Sequence, residues 1–124
     1  MQKYNKNNAN ELKEFLYNNY IHDAKLESFK YDWREDTIRI ELFNQFYNVK
    51  IALTFLNIRI ALKIEGDWSG NRETVISLTV EDDFSCLQNN YSRQSEYTND
   101  SIYLLFQMFS GDELHIVSEE VIVE

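Results

Sequence analysis

Apolar residues along this chain recur first at helical spacing and then, from Lys25 onward, mostly at every second position. Leu12, Phe15, Leu16 and Tyr20 fall on one helical stripe, with Asn10 placed to cap the first turn and Glu11 and Glu14 where the helix dipole favours acids. The spacing predicts a short amphipathic helix over residues 10–20 that lays one stripe on a sheet. Residues 1–9 are polar and are expected to be a flexible lead.

The twofold pattern then predicts strand after strand. Leu26, Phe29 and Tyr31 belong to a first strand whose apolar spacing slips by one residue near Ser28, the mark of a bulge or of burial on both faces. Residues 32–36 read as a turn, after which Ile38, Ile40 and Leu42 alternate with Arg39 and Glu41. Past a turn at Asn44-Gln45, Val49, Ile51, Leu53 and Phe55 alternate with Lys50, Ala52 and Thr54. Asn57 reads as a break, so that Ile58, Ile60, Leu62 and Ile64 form a separate fourth strand. Residues 66–71 carry the strongest turn signal, with Trp68 near its tip.

A fifth strand over 74–80 points Ile76, Leu78 and Val80 inward, and residues 81–100 form a long polar loop. Residues 102–109 are apolar on both sides, which predicts a central strand covered on both faces. A turn at 110–113 sends 114–118 back antiparallel, and 121–123 adds a last short strand. Proline is absent, glycine is scarce, and no repeat or linker divides the chain. The fold class is therefore α+β: one domain, 1–124, with a short N-terminal helix followed by about six to eight mostly antiparallel strands. Successive hairpins would assemble these into one curled sheet, a small barrel or a sandwich.

At 124 residues, 44% of them hydrophobic and 15% aromatic, the chain can bury roughly two thirds of its unfolded surface without a disulfide or metal. Cys86 is the only cysteine, no apolar run resembles a signal peptide, and none reaches the roughly 18 residues of a membrane span. A cytoplasmic location is expected.

Charge divides the chain sharply. Residues 1–80 carry 11 Lys and Arg against 11 Asp and Glu, whereas residues 81–124 carry 10 acids against Arg93 alone, so the net −9 lies wholly in the last third. Such a field repels nucleic acid and acidic lipid and steers basic partners. Asp82, Asp83, Asp112, Glu113, Glu119 and Glu120, with Tyr91, Tyr97 and Tyr103 as aromatic anchors, are the candidate partner-binding residues. The competing reading is a solvated face that keeps a sheet protein soluble.

Reaction chemistry leaves no comparable trace. His22-Asp23 is the most enzyme-like dipeptide, but adjacent side chains diverge, and the preferred reading is a polar linker in which one of the two caps a helix end or pins a turn. His115 sits in a predicted strand and is expected to face outward. The two histidines and Cys86 lack the spacing of a zinc site, the acid pairs lack that of a calcium loop, and the glycines are too far apart to cradle a phosphate. Acids at 81–83 disfavour a reactive Cys86 thiolate. No catalytic, metal or cofactor-binding residue is assigned.

The segment Ile21-His22-Asp23-Ala24-Lys25-Leu26, followed by Phe29, Tyr31 and Asp32 and later by Leu53-Thr54-Phe55-Leu56-Asn57-Ile58, resembles small Gram-positive bacterial proteins that open with a histidine–aspartate–alanine motif after a short helix. Some of these are of immunity-protein type. The resemblance covers residues 12–65 and implies a helix-plus-sheet fold and a binding role, with no catalytic residue carried over. The leading expectation is thus a non-enzymatic cytoplasmic protein-binding module, an immunity-type inhibitor whose acidic surface meets a basic partner such as a toxin. The alternatives are a small enzyme or ligand carrier with an aromatic-lined sheet cavity, and a self-associating structural subunit.

Overall fold

The computed structural model describes residues 1–66, 73–82 and 100–124. In chain order the elements are β1 (Gln2–Asn5), a single 3-10 turn (Lys6–Asn8), α1 (Ala9–Leu16), β2 (Lys25–Asp32), β3 (Thr37–Asn44), β4 (Val49–Ile64), β5 (Val75–Glu81), β6 (Ile102–Met108) and β7 (Glu113–Val123). Six strands lie in the order β2-β3-β4-β7-β6-β5, and β1 adds to the same sheet beside β7. Every registered strand pair is antiparallel.

Two three-stranded meanders, β2-β3-β4 and β5-β6-β7, meet along the β4–β7 seam, so successive hairpins account for each half but not for their junction. These are the two longest strands, of 16 and 11 residues, and β6 beside them is buried on both faces, which fits the sequence expectation for a central strand. The two outer strands also touch at one end. Lys25 bridges Thr74, the Val75 N–H donates to the Ala24 carbonyl at 2.9 Å, and the Leu26 N–H donates to the Glu73 carbonyl at 2.7 Å.

Several elements depart from the expected pattern. Residues 1–9 carry regular structure in place of a flexible lead: β1 pairs with β7, Tyr4 is buried, and Asn5 and Asn8 exchange side-chain and backbone hydrogen bonds in a capping box. The helix spans Ala9–Leu16 and stops short of residue 20, so Asn10 is not its cap. Tyr17 leaves helical geometry, and Asn18 then bonds to the Phe15 carbonyl and to the Tyr20 N–H (2.7 Å), folding the chain into turns. Leu12 and Leu16 carry the docking stripe, while Phe15 stays partly exposed.

Asn57 is a bend, not a break. It takes the left-handed conformation (φ 56°), and the pairing register shifts between Ile58 and Ile60 while β4 continues unbroken beside β7. Residues 114–118 and 121–123 likewise belong to one strand, since β1 takes up the edge of β7 beyond the point where β6 stops. In β5 a register shift between Val75 and Ser77 buries Val75, Leu78 and Val80 and leaves Ile76 half-exposed. The slip near Ser28 is a bulge between Leu26 and Ser28, as its spacing predicts. Trp68 and most of the long polar segment lie outside the described residues.

One core occupies the side of the sheet that also receives α1. Leu12, Ile40, Leu53, Leu104, Phe106 and Ile116 are buried there, and the Phe55 and Phe106 rings pack edge-on at 6.4 Å. A second, smaller cluster of Ile60, Tyr103, Leu105 and Val117 lies apart from it. Asn44, almost fully buried, ties the segment after α1 to the β3–β4 turn. Its amide donates to the carbonyls of Asn19, Tyr20 and His22 at 3.2–3.3 Å, and its Oδ1 accepts from the Phe46 N–H at 2.9 Å.

Candidate functional site

Two local irregularities in the strands shape one cavity. The bulge in β2 sets Phe29 and Tyr31 on the same side as Leu26, and in β4 the register shift between Ile58 and Ile60 follows the bend at Asn57, so that Ala61 packs on the main core as Phe55 does while Ile60 and Leu62 join the second cluster. Between these walls lies a cavity of about 450 Å³, floored by Phe106, Met108 and Leu114. Phe29 and Tyr31 are 43% and 47% exposed, so the cavity opens to solvent along β2. A mainly apolar hollow of this volume with a few polar groups is the usual form of a small-ligand site.

The polar groups in its lining differ in what already holds them. Asp112 is buried, and its Oδ1 accepts the Gly66 N–H at 2.7 Å. Glu113 accepts from His115 at 3.1 Å. Lys63 is exposed and, among the described residues, forms no hydrogen bond or ion pair.

Behind Glu113 runs a buried relay. His115 has no solvent exposure, against the expectation that it faces water, and Tyr103 is nearly as buried. The phenol of Tyr103 lies 2.5 Å from His115 Nδ1, and His115 Nε2 lies 3.1 Å from Glu113 Oε1. A carboxylate only accepts, so Nε2 carries the proton toward Glu113 and Nδ1 accepts the phenol O–H, an assignment made from the network. With both ends of the imidazole engaged inside the sheet, the relay orients and satisfies buried groups.

No protein-family model and no curated protein matches this sequence. The geometry of the molecule itself must carry the functional reading.

His22 and Asp23 fall where the chain returns from α1 to the sheet. His22 Nδ1 donates to the Ile76 carbonyl at 2.6 Å, the Asp23 N–H donates to the Val75 carbonyl at 2.9 Å, and Asp23 adopts φ 68°. Both residues pin the loop to β5. His22 also lines a shallower depression of about 350 Å³ beside Leu16, Ile76 and Leu78, with Asp23 Oδ1 3.6 Å from its Nε2. Neither histidine lines the larger cavity.

The acidic candidates among the described residues do not come together as one free surface. Asp112 and Glu113 are committed to Gly66 and His115 at one end of β7. At the other end Glu119 pairs with Arg59 and accepts from Asn57 at 3.0 Å, Asp100 stands 3.3 Å from Arg59, and Glu120 pairs with Lys3 at 2.8 Å. Asp82 is well exposed, 3.7 Å from Lys13. Asp83, Tyr91 and Tyr97 lie outside the described residues. The charge split along the sequence thus closes in space: β7 lies between β4 and β1, and bases from the neutral part of the chain meet acids from the last third. Among the described residues there is no cluster of three or more His, Cys, Asp or Glu placed to hold a metal ion. Nor is any helix there long and apolar enough to cross a membrane.

Phe29, Tyr31 and Lys63 were not among the residues the sequence marks as functional. One signal pointed toward the two aromatics, the slip at Ser28, which changes the side of the sheet that later residues of β2 face; the three-residue step from Phe55 to Ile58 pointed Lys63 outward, the reverse of the side on which its neighbour Ala61 packs.

Proposed function

We propose that this protein is a non-enzymatic binding protein that takes the apolar part of a small ligand into the cavity between β2 and the distal half of β4. The observation that carries the reading is the 450 Å³ cavity with Phe29 and Tyr31 exposed at its mouth. Large aromatic side chains left partly exposed beside a hollow are surface that a ligand would remove from water, at about 25 cal/mol per Å². The contact between the ends of β2 and β5 supports reading the sheet as a partly closed barrel with this cavity as its open side. That both histidines lie outside the cavity favours holding a ligand over transforming it, and a single cysteine suits a cytoplasmic setting.

Calorimetric titration with decanol tests the reading. Saturable binding at a single site is expected, and Ala61→Phe, which fills the hollow, abolishes it while far-ultraviolet circular dichroism keeps the sheet signature. Absence of saturable binding, or unchanged binding by the filled variant, rejects it.

A second reading, an inhibitor of immunity type that meets a basic partner, draws on one observation: Asp100, Glu119 and Glu120 share one surface depression with Asn5, Lys6 and Asn7. Arg59 and Lys3 already neutralise much of that charge, which is why the cavity is preferred. Retention of a basic protein from the native cell at low salt, lost on reversal of Glu119 and Glu120, would promote the second reading over the first.

A further inference from the structure

Ligand chemistry can be narrowed from the groups that line the mouth, on the reading that the cavity holds a ligand. We infer that the ligand is an amphipathic organic anion, its chain lying against Phe29, Tyr31 and Met108 and its carboxylate or similar head on the Lys63 ammonium. The lining brings three ionisable side chains of full charge to the cavity, Lys63, Asp112 and Glu113. Asp112 is turned to the Gly66 backbone and is buried there, and Glu113 is held by His115. Neither carboxylate therefore offers an uncommitted charge to a ligand cation. Lys63 is the converse case: exposed, at the rim of an apolar hollow, and without a hydrogen bond or ion pair among the described residues.

The placement of Lys63 strengthens the point. It stands opposite Leu114 across the β4–β7 seam, on the core-facing side of β4, a position that an outward-facing solubilising lysine would not take. Ala61, two residues before it on β4, packs on the main core, and strand alternation puts Lys63 on the same side. A lysine there lays its aliphatic stem along apolar wall and holds its ammonium at the water boundary, which is where an amphiphile places its head group. Across this protein the net charge is −9, so the general field disfavours any anion, and a preference for one must come from a local cation.

Four titrations decide the matter: decanoate and decanol against the native protein, and both against Lys63→Met, which keeps the stem and removes the charge. Decanoate is expected to bind the native protein about fivefold more tightly than decanol, a factor in keeping with one partly solvated ion pair. Lys63→Met should bring that ratio to one, and added salt should narrow it in the native protein. Equal affinity for the two probes, or a ratio that survives Lys63→Met, overturns the anion assignment while leaving the cavity reading intact. If neither probe binds, the cavity reading itself falls and this inference with it.

Discussion

Tyr103 and His115, on the neighbouring strands β6 and β7, are joined by a 2.5 Å hydrogen bond between the phenol and Nδ1, with almost no solvent exposure at either residue. Because the imidazole is also held by Glu113, removal of the phenol leaves a buried nitrogen unsatisfied. Tyr103→Phe is expected to destabilise the fold by about 1–3 kcal/mol. Urea denaturation gives the figure, and His115→Leu in the Tyr103→Phe background should add less than it does alone, the sign of coupling within one network. Strictly additive losses would show that the two residues act independently.

Gly66 and Gly111 meet backbone to backbone, and a Cβ on Gly66 would collide with the Gly111 carbonyl carbon. Here the end of β4 is clamped to the β6–β7 turn, with Asp112 closing the contact on the Gly66 N–H. Gly66→Ala must push rigid backbone aside and is expected to cost about 1–3 kcal/mol, as overpacking does. A thermal midpoint lowered by several degrees is the expected readout, and an unchanged midpoint would contradict the close approach.

Arg59 draws Glu119 and Asp100 together across β4 and β7, yet all three side chains remain partly exposed. Solvent screening keeps such a network modest, so Arg59→Gln is expected to cost less than about 1 kcal/mol at low salt and almost nothing at high salt. Denaturation at two ionic strengths checks this, and a large salt-independent loss would mean that Arg59 matters through packing instead.

Much of the fold was legible because local pattern and tertiary environment agree. Residues 102–108 are apolar on both sides and are buried on both faces, and the slipped spacing at Ser28 is a bulge. Legibility failed where one residue decides between turning and bending. Asn57 suits either outcome, and only the long β7 beside β4 keeps the chain extended through a left-handed residue. From that misreading follow the unforeseen junction of the two meanders and the unforeseen side of Lys63. His115 reads from sequence as an outward strand residue because alternation reports which face a side chain takes, not whether that face is covered. The acidic third looked like a surface because linear charge says nothing of strand order; with β1 and β4 flanking β7, most of its described acids find partners.

The central claim, that the hollow along β2 receives an apolar ligand, is tested most directly by methyl-resolved nuclear magnetic resonance during titration with decanol. The account predicts saturable shifts concentrated on Leu26, Ala61, Leu62, Met108 and Leu114, the methyl-bearing residues of the cavity, with Ile38, Ile51 and Val121 elsewhere in the core unmoved. Shifts that never saturate, or that spread evenly over the core, would contradict it.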